Sequence, residues 1–131
     1  MILVDTSVWA SHFNGADNGH VRRLTAAFDA REDLCVIPII VTEVLQGFRG
    51  ELGFETARRV LLDLPVLTVD MDGYVRAAQL FRTLRSRGIT IRGAIDCLIA
   101  QACLDFDCEV LSSDTDFGRI ASALPLRLCR I

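Results

Sequence analysis

Short apolar runs, separated by longer amphipathic stretches, are the feature that most limits what this chain can fold into. Ile2-Leu3-Val4 stops at Asp5, Leu34 to Ile37 stops at Pro38, and Val66 to Val69 follows Pro65. Glu109 to Leu111 and Leu126 to Cys129 complete a set of runs with the length and composition of buried strands. Between them, apolar residues recur at helical spacing over residues 6–13, 18–31, 38–48, 54–62, 71–87, 94–106 and 116–124. Pro38 suits the first turn of one of these helices, and Gly88 closes another. The alternation predicts an α/β fold with a mainly parallel central sheet flanked by helices, in one domain spanning residues 1–131. Ligands of such sheets bind beyond the carboxyl ends of the strands, where Asp5 and Asp114 both fall.

Charge and cysteine usage narrow the chemistry. All 14 basic residues are arginine, so mechanisms that need lysine, such as a Walker A loop, a Schiff base or a Ser–Lys dyad, are excluded. With 17 acids the net charge is −3, and a nucleic-acid role would have to rest on local geometry and added cations. The five cysteines form no CxxC pair and read as small buried residues of a cytoplasmic protein, and His12 and His20 lack companions at ligand spacing. The N-terminus has no basic n-region and meets Asp5 early, which argues against a secretory signal. The longest apolar stretch, Leu34 to Val41, is eight residues and contains Pro38, so no membrane span is expected.

The anomalies are carboxylates in apolar company. Asp5 ends the first run, Glu43 interrupts IPIIVTEVLQGF, Asp96 opens AIDCLIAQAC, and Asp114 and Asp116 follow VLSS. Asp5 and Asp114 could each cap a helix, and Asp96 could be a first-turn acid favoured by the helix dipole. Glu43 lies past capping range, with Ile39, Ile40 and Gly47 on its face. A carboxylate buried there must pair with an arginine or share a cation with other acids. If Glu43 meets Asp5, Asp96 and Asp114 across the sheet edge, their repulsion calls for a hard divalent ion, Mg²⁺ or Mn²⁺, which suits phosphodiester hydrolysis.

The ordered segments ILVDTSVW, VTEVLQG, AIDCLIAQAC and LSSDTDFGRIA resemble the PIN-domain ribonucleases, and among them the VapC toxins of toxin–antitoxin pairs. The resemblance runs over essentially the whole chain. It implies a three-layer fold and a Mg²⁺- or Mn²⁺-dependent endoribonuclease that hydrolyses RNA and leaves 5′-phosphate and 3′-hydroxyl ends. It also implies a cognate antitoxin and a homodimer. By the same resemblance Asp5, Glu43, Asp96 and Asp114 match the catalytic acids, and Asp5, Asp96, Asp114 and Asp116 would hold the metal. Thr6, Ser7 and Ser112 would position water or a scissile phosphate.

Arg82, Arg85, Arg87 and Arg92 crowd one helix end and the loop before Asp96, where Arg85 and Arg92 could grip substrate phosphate; the alternative is a solvated helix end. Trp9 could stack a base, but core packing explains it as well. Two other functions use the same acids: a non-catalytic PIN-like binding module whose acids hold a structural ion or a partner's arginine, and a phospho-acceptor receiver. The receiver is weakened by the missing lysine and by the lack of a second acid beside Asp5.

Overall fold

The computed structural model describes residues 1–131. Four strands, β1 (Ile2–Val4), β2 (Leu34–Cys35), β3 (Glu109–Leu111) and β4 (Arg127–Leu128), form one sheet in the order β2-β1-β3-β4. Every pairing is parallel, with Leu3 opposite Cys35 on one side and Val110 on the other. All three residues of β1 are buried, as the uninterrupted Ile-Leu-Val run requires of a strand covered on both faces. Seven helices accompany the sheet: α1 (Thr6–Phe13), α2 (Gly19–Asp29), α3 (Pro38–Leu45), α4 (Glu51–Leu62), α5 (Met71–Ser86), α6 (Ala94–Phe106) and α7 (Thr115–Ala123).

The chain leaves β1 for β2 on one side and returns past β1 to β3 on the other. Right-handed crossovers in opposite directions put their helices on opposite faces, giving three layers. They also open a crevice beyond the carboxyl ends of β1 and β3, where the strand order reverses. Asp5 donates its backbone N–H to the Leu111 carbonyl at 2.9 Å, so the two strand ends stay side by side up to the first acid.

The expected strand over residues 66–69 is not formed. Val66 makes a single bridge to Val36, because Ile37 already caps α3 and Pro38 begins it, which leaves β2 nothing further to pair. The same cap shortens β2 to Leu34–Cys35, and β4 to Arg127–Leu128 is shorter than the apolar run suggested. Helix ends otherwise shift by a few residues: α3 stops at Leu45 and α4 begins at Glu51, earlier than the periodicity indicated.

The core joins β1 and β3 to Trp9, Leu24, Leu61, Leu84, Ile91, Ile99, Phe117 and Ile120, all buried. Trp9 is therefore a packing residue, stacked on Phe13 at 5.8 Å between ring centres, and not a base platform. All five cysteines are free and buried. Burial pushes the Cys97 thiol up to about 11 and Cys35 to about 12, so neither is a nucleophile at neutral pH.

Gly88 ends α5 with φ of +81°, a conformation that strains any residue with a Cβ, although nothing lies within 4 Å of the added atom. The cost of Gly88→Ala should therefore be the backbone alone, about 1 kcal/mol in a urea melt. A loss several times larger would mean that the loop toward α6 had been displaced.

Candidate metal centre

Five acids from four separate segments meet at the carboxyl edge of the sheet. Asp5 follows β1, Glu43 comes from the middle of α3, Asp96 lies in the first turn of α6, and Asp114 and Asp116 open α7 just after β3. Asp96, Asp114 and Asp116 are the tightest group: one oxygen from each lies within 4.8 Å of the others. Asp5 and Glu43 stand beside this trio, close enough for their charges to act on Asp96.

Each acid has its own anchoring. Asp5 is at the N-cap of α1, yet its side chain makes no cap hydrogen bond. It is buried, and Oδ2 accepts from the hydroxyls of both Ser7 and Ser112, each at 2.8 Å. Those hydroxyls in turn accept backbone N–H groups: Asp114 donates to Ser112 at 2.9 Å and Ser113 to Ser7 at 3.2 Å. The two serines thus stitch the end of β1 to the segment carrying Asp114. Glu43 is half-buried and pairs with no arginine; Thr6 Oγ1 donates to its Oε1 at 2.8 Å. Thr6, Ser7 and Ser112, expected to meet water or phosphate, spend their protons on the acids.

Asp114 does cap α7, accepting the Asp116 N–H on Oδ1 at 2.9 Å, and the residue is exposed. Asp116 is buried, and its carboxylate is met by Arg119 Nη1 at 3.2 Å. Arg119 is the charged neighbour of the cluster that sequence reasoning missed. Its signal was present, since Asp116 and Arg119 are three apart and share a helix face. The more conspicuous arginines behave differently. Arg85 is exposed on α5 with its guanidinium 5.5 Å from the Phe81 ring centre, and the structure does not bring it to the acids. Arg87 donates to the Ala123 carbonyl at 2.8 Å. Arg92 is exposed in the loop before α6, at the mouth of an apolar groove of about 820 Å³ that Ile39, Tyr74, Phe81 and Ile95 help to line.

The electrostatic result is concentrated on Asp96. Burial first, then the charges of Asp5, Asp114, Asp116 and Glu43, push its carboxyl up to about 6. Without a cation, folding brings together charges that the unfolded chain keeps apart. An all-oxygen donor set with no imidazole or thiolate among the clustered groups suits a hard divalent ion such as Mg²⁺ or Mn²⁺ better than zinc or copper. Because the folded state holds the Asp96 proton more tightly than the unfolded state, its contribution favours folding at low pH. That contribution is lost as pH rises from about 4 through about 6. In chelator, the wild type should lose stability over this interval relative to Asp96→Asn, and saturating Mg²⁺ at pH 7 should narrow the gap. Parallel urea melts at pH 4 and pH 7 check this; identical slopes would remove Asp96 from the repulsive cluster.

A three-layer parallel fold with carboxylates gathered where the strand order reverses is the architecture of a PIN domain, and residues 2–123 match the PIN domain family model. The chain belongs to that family. It is similar to VapC ribonuclease Mb1587 of Mycobacterium bovis and to ribonuclease VapC11 of Mycobacterium tuberculosis, each 34% identical over 125 residues that cover 92% of both chains. Its fold matches that of VapBC2 from Rickettsia felis, solved with a DNA fragment from its promoter, with a TM-score of 0.76 at 18% identity over 98% of each chain. It also matches VapC20 of Mycobacterium tuberculosis, described as a Sarcin-Ricin loop cleaving toxin, with a TM-score of 0.72 at 17% identity over 95% of this chain and 96% of that one. No helix is long and apolar enough to cross a membrane.

Proposed function

We propose that this chain is the toxin of a toxin–antitoxin pair, an endoribonuclease that hydrolyses RNA phosphodiesters with Mg²⁺ or Mn²⁺. The observation that carries the reading is the trio Asp96, Asp114 and Asp116, drawn together within 4.8 Å in a PIN domain 34% identical to VapC ribonucleases. A bound Mg²⁺ or Mn²⁺ would supply positive charge to the phosphoryl centre and acidify a water. Asp96, Asp114 and Asp116 would hold the ion, with Asp5 adding a fourth charge at its rim. Asp5, Glu43, Asp96 and Asp114 form the catalytic set. Thr6 fixes one oxygen of Glu43, leaving the other to orient water and accept a proton. Ser7 and Ser112 act through Asp5, holding its carboxylate in one orientation.

The substrate contributes phosphate charge that an acidic chain must still attract. Arg92, exposed, unpaired and four residues before Asp96, would meet an RNA phosphate at the site, and Arg85, exposed on α5 over the Phe81 ring, would contact a flanking phosphate. An antitoxin partner is supported by the toxin–antitoxin complexes among the structural matches. A homodimer is supported by the apolar groove and by Met71, Tyr74 and Val75, which α5 leaves exposed.

The test is cleavage of a mixed RNA pool by the purified chain with Mg²⁺ or Mn²⁺, followed by sequencing of the ends. Loss of cleavage in chelator, with 5′-phosphate and 3′-hydroxyl products, is the expected result. A demonstrably metal-loaded protein that cuts no RNA would instead support a binding module whose acids hold a structural ion or a partner's arginine.

A further inference from the structure

Arg119 is the one cation whose side chain pairs with a member of the acid cluster. Its Nη1 donates to two acceptors from different parts of the chain: Asp116 Oδ1 at 3.2 Å and the Thr90 carbonyl at 2.9 Å. Thr90 belongs to the loop between α5 and α6, which delivers Asp96 to the site, while Asp116 opens α7. One guanidinium therefore spans the two segments that carry the trio. The loop has one deep anchor nearby, the buried Ile91, and Gly93 enters α6 without a side-chain cap.

The two ends of this tie differ in what they need. Asp116 is buried, and Arg119 is the only side chain that hydrogen-bonds to its carboxylate. A buried carboxylate with no donor would rotate away or recruit another partner. Arg119 itself is about half exposed, so it is free to hold position without being buried by the core. Fixing Asp116 Oδ1 holds the carboxylate in one orientation, one of its oxygens lying within 4.8 Å of oxygens of Asp96 and Asp114. Tying Thr90 to the same nitrogen sets the distance between the Asp96 loop and α7.

We infer that Arg119 is a positioning residue for the metal centre, holding Asp116 and the Thr90 loop so that Asp96, Asp114 and Asp116 present their oxygens to one cation. The inference rests on the metal-site reading above. It assigns the opposite role to the one that charge alone would suggest, which is a guanidinium that competes with the ion for Asp116. Outer partners that orient ligating carboxylates are worth about 10- to 100-fold in metal affinity. The two roles therefore predict opposite signs.

Mn²⁺ binding to the purified full chain, followed by electron paramagnetic resonance, separates them. Arg119→Ala should weaken Mn²⁺ binding by about tenfold or more. Arg119→Lys, which restores a cation without the planar fork, should recover part of that loss. Arg127→Ala, which removes a surface pair with Asp107, should bind Mn²⁺ like the wild type. Thermal unfolding in chelator reports stability separately, because a purely structural Arg119 would lower the melting temperature and leave the affinity of the folded protein unchanged. Unchanged or tighter binding by folded Arg119→Ala overturns the inference. If Arg119→Ala does not fold, Arg119→Lys decides: weakened binding supports the role and wild-type binding overturns it. A wild type that binds no Mn²⁺ overturns the metal-site reading itself and this inference with it.

Discussion

Asp96→Ala should cut Mg²⁺-dependent RNA cleavage at neutral pH by about a thousandfold while leaving the protein folded, on the scale expected for losing a group that stabilises transition-state charge. The substitution removes one of the three oxygens that lie within 4.8 Å and leaves two, Asp114 and Asp116, on the same short helix. Asp96 is the only member of the trio that comes from another element, so without it a cation would be held from one side. The same change relieves repulsion. The charges of Asp5, Asp114, Asp116 and Glu43 and the burial that raise Asp96 to about 6 all oppose an ionised carboxylate there. In chelator at pH 7 the variant should be at least as stable as the wild type. Activity and stability moving in opposite directions is the signature of a site built against local stability. Cleavage within tenfold of wild type would show that the chemistry lies elsewhere.

The parts of the fold legible in the sequence are those with strong local signals. Ile2-Leu3-Val4 could be little other than a doubly covered strand, and α6 runs over Ala94–Phe106 as its apolar spacing indicates. Residues 66–69 (Val-Leu-Thr-Val) also carried a strand-like composition but formed one bridge, because strand formation depends on a partner and Pro38 had already turned that partner into a helix. The acids were legible for a related reason. A carboxylate inside an apolar segment conflicts with its surroundings, and Glu43 and Asp96 stood out without any knowledge of what they face. The arginines were not legible by density. Arg82, Arg85, Arg87 and Arg92 cluster in sequence, yet helix phase sends Arg85 back over Phe81. Arg119, in a sparser stretch, reaches the acids because it lies one helical turn beyond Asp116. The hydroxyls of Thr6, Ser7 and Ser112 were expected at the site, but only the tertiary structure shows that they face carboxylates.

Removing both hydroxyls on Asp5, in Ser7→Ala/Ser112→Ala, should destabilise the metal-free protein by about 3 kcal/mol, more than the two single variants added together. Both serines donate to the same oxygen, Oδ2, so either alone still satisfies it. Losing the second leaves a buried carboxylate with no hydroxyl donor, 5% exposed and near enough to Asp96 for the two charges to interact. The serines also accept the N–H groups of Ser113 and Asp114, so the double variant loosens the turn that aims Asp114. Mg²⁺ should recover part of the lost stability, since a cation can offset the unpaired charge, but it cannot restore the turn. The double variant should therefore remain impaired in cleavage at saturating Mg²⁺, with each single variant closer to wild type. Urea melts of the four proteins, with and without Mg²⁺, measure the coupling. Additive losses would mean that Ser7 and Ser112 support Asp5 independently, and would break the proposed link between the end of β1 and the segment that carries Asp114.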